Sequence, residues 1–442
     1  MSLVLPRSRA TFMPGWVRND LWRRARAVPS LDLRFADSKS LVDAVTGQSL
    51  VTFTRASSGT YVGSDGLLKT AANDVPRFTH DPVTGESLGL LVEEQRSNSI
   101  RNNTMVGAVA GTPGTLPTNW VQTSLASGLS SSITGVGTDS GISYIDVRIN
   151  GTTADASGWA LAFDASTAIP ASSGQAWTGS AYARLIAGSF ANIFFPSARV
   201  IERTAAGSYV TETNITIAST ANGSTLPSCR FSLTRTSMGA TTGFVQLGLL
   251  FNISIGVAVD FTLRIGLPQL EQGAFATSVI PTTTSAATRS ADVASIGGSA
   301  FSGWYGQDEG SVYVDFSLPT TAGNTAIVSL SQAAAGTTNR HSIRQGNTIV
   351  TAAGSLVANF TNQTTTVNTR NKIGYGYKVN DFYQVLNGAT FAADTSGALP
   401  SSIDLLEIGK VESASLYSNG PIRRLTYWPQ RLSNTTLQAL TQ

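Results

Sequence analysis

The chain has 442 residues, of which 13% are charged, with 42 glycines, one cysteine and a formal net charge of +3. That length exceeds one ordinary core and predicts roughly two to four compact units. Low charge with abundant Gly, Ser, Thr and Asn describes a turn-rich β protein rather than a helical enzyme, the small net charge gives no general pull toward nucleic acid, and the lone Cys229 excludes an internal disulfide framework or a cysteine-rich zinc site.

Residues 1–30 read as an extended basic arm, in which Arg7, Arg9, Arg18, Arg23, Arg24 and Arg26 oppose a single acid, Asp20. Pro6, Pro14 and the arginines interrupt every apolar run that a secretion signal would need. Trp16 and Trp22 beside Arg23, Arg24 and Arg26 are the residue types of interface hot spots, so the arm is read as ordering against a partner; a disordered tail is the plainer alternative. Contact with packaged DNA is a third reading, with no nucleic-acid motif beside it.

From residue 31 the pattern alternates apolar and polar positions, first in Leu31-Asp-Leu-Arg-Phe35 and then in Leu50-Val-Thr-Phe-Thr-Arg55, as half-buried strands do. Gly63-Ser-Asp-Gly66 and Asp81-Pro-Val-Thr-Gly85 are turn clusters. Residues 102–119 lack a period and are predicted to be a linker or long entry loop. Short strands such as Tyr144-Ile-Asp-Val-Arg-Ile149, Trp177–Arg184 and Phe261–Ile265 then recur between Gly/Ser/Asn turns, the spacing of a sandwich or jelly roll. The most apolar stretch, 244–261, contains Asn252, Ser254 and Asp260 and reads as two strands, not a membrane span. Residues 281–288 are a second polar linker. A last strand set begins at Ser311 and includes Asp381–Leu386 before an Asn387-Gly388 hairpin turn, and Ser433 caps a short terminal helix.

Three segments carry a resemblance. Phe53–Ala72, with Pro76-Arg-Phe, Asp81–Glu86 and Gly89–Asn98, resembles a module of phage and prophage tail, fibre and head-decoration proteins. Pro268–Thr283 is similar to the closing strand of a jelly-roll carbohydrate-binding module, and Asn380–Gly388 with Gly420–Leu432 is similar to concanavalin-like, laminin-G-like domains. The resemblance implies an all-β chain of tandem antiparallel sandwiches with an N-terminal arm: arm 1–30, β-rich phage module 31–101, jelly roll 102–285 and concanavalin-like sandwich 297–442. It also implies a virion protein, assembled in the bacterial cytoplasm, whose partners are other virion proteins and host-surface polysaccharide, with a homotrimer as the expected oligomer. Fold alone does not fix function, and no catalytic residues come with the resemblance.

Sugar recognition needs an aromatic face beside hydrogen-bonding groups. Trp304 and Tyr305 lie in a Gly-flanked segment where exposure is expected; Trp159, Tyr375, Tyr377 and Trp120 complete the pool, each with a core role as its competing reading. Asp308 and Glu309 are candidates for a structural calcium site, against the plainer reading of a solvated turn. No cofactor is expected. Neighbouring acids such as Glu93 and Glu94 would point to opposite faces of a strand, so a non-enzymatic role is expected; a capsule depolymerase built from distant carboxylates, or a purely structural capsid, neck or baseplate protein, are the alternatives.

Overall fold

The computed structural model describes residues 20–320, 325–361, 364–390, 393–411 and 416–442. The protein is all-β, with antiparallel pairing throughout the described sheets. No described helix is long and apolar enough to cross a membrane.

The concanavalin-like sandwich consists of an eight-stranded and a seven-stranded sheet. Its strands do not all come from 297–442. Leu31–Leu33 and Ser87–Val92 both pair with Gly420–Trp428, in the registers Leu31↔Tyr427 and Val92↔Gly420, and Phe78–His80 extends the same sheet. Thr52–Thr54 pairs with Val293–Gly297 at the edge of the other sheet. The region 31–101 is therefore no separate module. Its apolar residues Leu31, Leu33, Phe35, Leu90 and Val92 belong to the same buried core as Val314, Ile373 and Ile422, and three-residue strands such as these bury their apolar face only by joining a larger sheet.

The jelly roll is inserted into this sandwich rather than placed before it. The entry strand Arg96–Asn98 pairs with the exit strand Ala287–Arg289, which lies partly in the segment expected to be a linker. The insert has two five-stranded sheets. Alternation explains its packing: Ile145, Val147 and Ile149 on Ile142–Thr152 are fully buried, while Arg148 between them faces solvent. Phe251 stacks on Phe261 at 5.4 Å, and Trp159 meets Phe251 edge-on at 5.2 Å. Residues 102–119 are not a free linker either. Asn102 is buried and donates through Nδ2 to the carbonyls of Val106 and Thr118, and Trp120 Nε1 donates to the Asn102 carbonyl at 2.8 Å.

Three charged residues of the phage-like motif, Arg55, Arg77 and Glu93, meet Arg289 and Asp292 where insert and host join. Arg55, Arg77, Arg289, Glu93 and Asp292 are all at most 2% exposed. Asp292 accepts from Arg55 Nη1 at 3.1 Å, from Arg77 Nη2 and from the Glu93 amide at 2.8 Å. Glu93 pairs with Arg77 at 2.8 Å and Arg289 at 3.0 Å, and accepts from the Ser278 amide and hydroxyl at 2.7 and 2.6 Å. Buried charges persist only when partnered this fully.

The arm, where described, is not extended. Asp20–Ala25 is a short helix whose Leu21 and Ala25 pack with Trp428, Leu437 and Leu440. Trp22 Nε1 donates to Asp32 Oδ2 at 2.9 Å, and the Arg34 guanidinium lies 5.2 Å from the Trp22 ring centre. Arg23 and Arg26 are exposed and Arg24 is half-buried, whereas Trp16 lies outside the described residues. The terminal helix forms over Asn434–Thr441, with the Ser433 hydroxyl accepting from the Thr436 amide.

Candidate functional site

The aromatic residues singled out from sequence belong to the interior. Trp304 is 5% exposed, and Trp159, Tyr375 and Tyr377 are fully buried. The Gly-flanked segment is a one-turn helix, Ser299–Ser302, followed by an aromatic plug. Trp304 meets Phe301 and Tyr427 edge-on at 4.7 and 5.1 Å, and half-buried Tyr305 stacks on Tyr427 at 5.4 Å. Tyr377 and Tyr427 join their hydroxyls at 2.7 Å, and Tyr377 also donates to the Gly306 carbonyl. On Asn371–Lys378, Ile373, Tyr375 and Tyr377 point inward, so Gly374 and Gly376 fall on the outer face. A Cβ on Gly374 would sit 3.3 Å from the Leu437 carbonyl of the terminal helix. None of these rings offers a face on which a sugar could stack without opening the core.

Of the two calcium candidates, Glu309 is engaged elsewhere. Glu309 accepts from the Arg431 amide at 3.1 Å and lies 3.7 Å from Lys378 Nζ, while Asp308 is exposed. Among the described residues no group of three or more His, Cys, Asp or Glu side chains is arranged so that it could hold a metal ion.

A different site lies on the insert. One of its sheets runs in the order Tyr209–Thr216, Ile193–Arg203, Phe244–Ile253, Trp159–Ala162 and Val121–Leu125. Ala198, Val200, Val245, Leu247, Leu249 and Trp159 fill the inner face. The alternate residues Arg199, Arg203, Gln246, Leu250 and Ala160 therefore fall outside, where with Thr123, Ser124 and Ser166 they line a depression of about 600 Å³. Small residues make the room: Gly248 stands between Arg199 and Ala162 in register, and Ala160 between Leu250 and Ser124. A Cβ on Gly248 would lie 2.6 Å from the Leu161 carbonyl, so no side chain rises from the floor there.

Two guanidinium groups stand on this face. Arg203 donates Nε and Nη2 to Gln246 Oε1 at 3.2 and 2.8 Å, and Gln246 is fixed in turn by donating to the Asp164 carbonyl at 2.8 Å. Arg199 Nη1 pairs with Glu212 at 3.2 Å, and its buried Nε has no hydrogen-bond partner among the described residues. Burial and the neighbouring Arg199 charge lower the Arg203 pKa. Glu212 thus pairs with Arg199, while Arg203 is held by the neutral amide of Gln246. Tyr209, opposite Arg203 in register and 57% exposed, adds an aromatic ring at the margin.

Fixed guanidinium and amide donors, hydroxyls and an accessible ring are what a polyhydroxylated ligand requires. The sequence signal for this site is the even, four-residue spacing of Arg199 and Arg203, which in a strand puts both on one face. Which strands would flank it could not be read from that segment.

No family model matches the chain, and no curated protein matches it. Among solved structures, the chain is similar to the CBM40 domain of the Ruminococcus gnavus IT-sialidase bound to α2,3-sialyllactose, at 12% identity over 31% of this chain and 83% of that one, with a TM-score of 0.27. It is similar to the NanB sialidase of Streptococcus pneumoniae at 16% identity over 33% of this chain, with a TM-score of 0.29, and spans 26% of that protein. Similarity also extends to domain 4 of AbnA, a GH43 extracellular arabinanase from Geobacillus stearothermophilus in complex with arabinotriose, at 11% identity over 38% of this chain and 82% of that one, with a TM-score of 0.25.

Proposed function

We propose that the protein is a non-catalytic adhesion component of a tailed-phage particle, attached through its N-terminal arm and offering the groove of the inserted jelly roll to host-surface polysaccharide. The groove carries the sugar-binding half of this reading. Arg199 and Arg203 are held on one face with Gln246, over a floor of small residues and beside an exposed tyrosine. Its lining includes no aspartate or glutamate, which favours binding over hydrolysis, since glycosidases place a carboxylate pair across the scissile bond.

The particle half rests on the long phage-type motif and on the arm. Leu21 and Ala25 tie the arm's helix to the sandwich, and the exposed side chains of Arg23 and Arg26 would face other particle proteins. A shallow polar groove binds weakly, and repeated copies, as in a trimer, raise avidity without new contacts.

The test is a glycan array and host-cell retention assay comparing the wild type with an Arg199→Ala, Arg203→Ala double variant. Charge-assisted hydrogen bonds contribute about 1.5–3 kcal/mol each, so retention should fall about tenfold or more. Unchanged retention by the folded double variant would refute the groove as the site. An array blank for the wild type would leave a purely structural role.

A further inference from the structure

Around the groove of the insert, three of four guanidinium groups are matched by carboxylates. Arg101 Nε lies 3.2 and 3.1 Å from the two Asp164 oxygens. Arg235 pairs with Glu202, whose other oxygen accepts from the Gly239 amide at 2.9 Å and the Thr242 hydroxyl at 2.7 Å. Glu212 stands opposite Ile201 in register, between the two groove arginines, and its oxygens go to Arg199 Nη1 at 3.2 Å and Asn214 Nδ2 at 3.3 Å.

Arg203 is the fourth. Its hydrogen-bond partners are neutral: Gln246 Oε1, which accepts from Nε and Nη2, and the Gly207 carbonyl, 3.5 Å from Nη1. Four guanidinium groups against three carboxylates leave one positive charge. Burial and the Arg199 charge lower the Arg203 pKa, and the attraction of Glu212 does not make up the difference. Of the guanidinium's N–H donors, Gln246 takes two and Gly207 a third, which leaves one on each Nη without a partner among the described residues. These two N–H groups are the end of a planar fork on the wall of the depression, and the chain from Gln246 to the Asp164 carbonyl already fixes its direction.

We propose that the groove selects an acidic polysaccharide, with the carboxylate of a uronic-acid-type sugar docked end-on to Arg203. The proposal rests on the groove being the sugar site and names the class of sugar that it takes. A guanidinium fork binds a planar carboxylate through two parallel N–H···O bonds, which a sugar hydroxyl cannot match. One carboxylate also balances the one positive charge. Tyr209 lies opposite Arg203 in register and is 57% exposed, so its ring stands where the apolar face of the same sugar would lie. The hydroxyls of Thr123 and Ser166 line the depression for the neighbouring sugar units, above the small residue Ala160.

The experiment is calorimetric titration of the full chain at neutral pH with three probes: α-1,4-linked trigalacturonic acid, the same trisaccharide with its carboxyl groups reduced to hydroxymethyl groups, and triglutamate. The acidic trisaccharide is expected to bind about tenfold tighter than the reduced one, and triglutamate, which has the charge without the sugar, to bind more weakly than either. Arg203→Gln should bring the ratio of the two trisaccharides close to one, while Arg148→Gln, on the exposed Arg148–Asp260 pair, keeps it. Should Arg203→Gln misfold, the ratio in the wild type decides. Equal binding of both trisaccharides, lost in the Arg199→Ala, Arg203→Ala variant, would overturn the acidic preference and leave the groove standing as a sugar site. Triglutamate binding as tight as that of the acid, or a ratio kept in Arg203→Gln, would overturn it as well. Saturation by neither trisaccharide would also overturn it, and the wild-type glycan array then decides separately whether the groove binds sugar.

Discussion

Asp292→Ala is expected to lower the unfolding free energy by about 3–5 kcal/mol, the range for removing one partner of a buried ion network. Asp292 is fully buried and accepts from Arg55, Arg77 and the Glu93 amide. Without it, three guanidinium groups face Glu93 alone at the junction of insert and host. Arg55 keeps hydrogen bonds to the Ser57 and Ala72 carbonyls, and Arg77 one to Thr60, but these do not offset charge. Urea unfolding measures the effect, and a loss under about 1 kcal/mol would mean that water reaches the network.

The same network sets an acid limit. Burial alone would raise the Glu93 pKa, but Arg289, Arg77 and the Ser278 hydrogen bonds outweigh it and hold the carboxyl at about 2, below the ordinary 4.5. A carboxyl depressed in the folded state adds stability above its unfolded pKa and loses it as pH falls through the folded value. Stability should therefore decline from about pH 4.5 toward pH 2, less steeply in Glu93→Gln, whose unfolding midpoint at neutral pH should already be reduced.

Trp304→Ala should also cost about 3–5 kcal/mol, as large-to-small changes at buried aromatics do, while the molecules that stay folded hold glycan as the wild type does. The ring fills the space beside Phe301, Tyr305 and Tyr427, and the backbone carbonyl of Trp304 accepts from the Ser30 hydroxyl at 2.7 Å. The opposite pattern, full stability with lost retention, would return the binding face to this segment. Comparing it with the Arg199→Ala, Arg203→Ala variant separates core from site, because the arginines lie on the outer face of the insert.

Local features were legible in the sequence where local chemistry decides them. The Asn387-Gly388 turn joins Asp381–Leu386 to Ala389–Thr390 with both turn residues at positive φ, 48° and 77°, the geometry that Asn-Gly favours. Ser433 caps its helix for the same local reason. The nesting of one sandwich in the other was not legible, because Leu31 pairs with Tyr427 across nearly the whole chain and a three-residue strand carries no mark of its partner. The aromatics misled for a related reason. Glycines around Trp304 and beside Tyr375 and Tyr377 resemble loop punctuation, yet Trp304 closes an aromatic plug, and on Asn371–Lys378 Gly374 clears the outer face for the terminal helix while the rings turn inward. The motif that resembles phage proteins owes its charged positions Arg55, Arg77 and Glu93 to the junction, so it speaks for architecture more directly than for ligand.

Hydrogen–deuterium exchange on the full chain, with and without host-surface polysaccharide, tests the adhesion reading most directly. Protection should appear on peptides covering Ile193–Arg203, Tyr209–Thr216 and Phe244–Ile253 and vanish in the Arg199→Ala, Arg203→Ala variant. Protection confined to the segment around Trp304 and Tyr305, or none at saturating polysaccharide, would contradict the account.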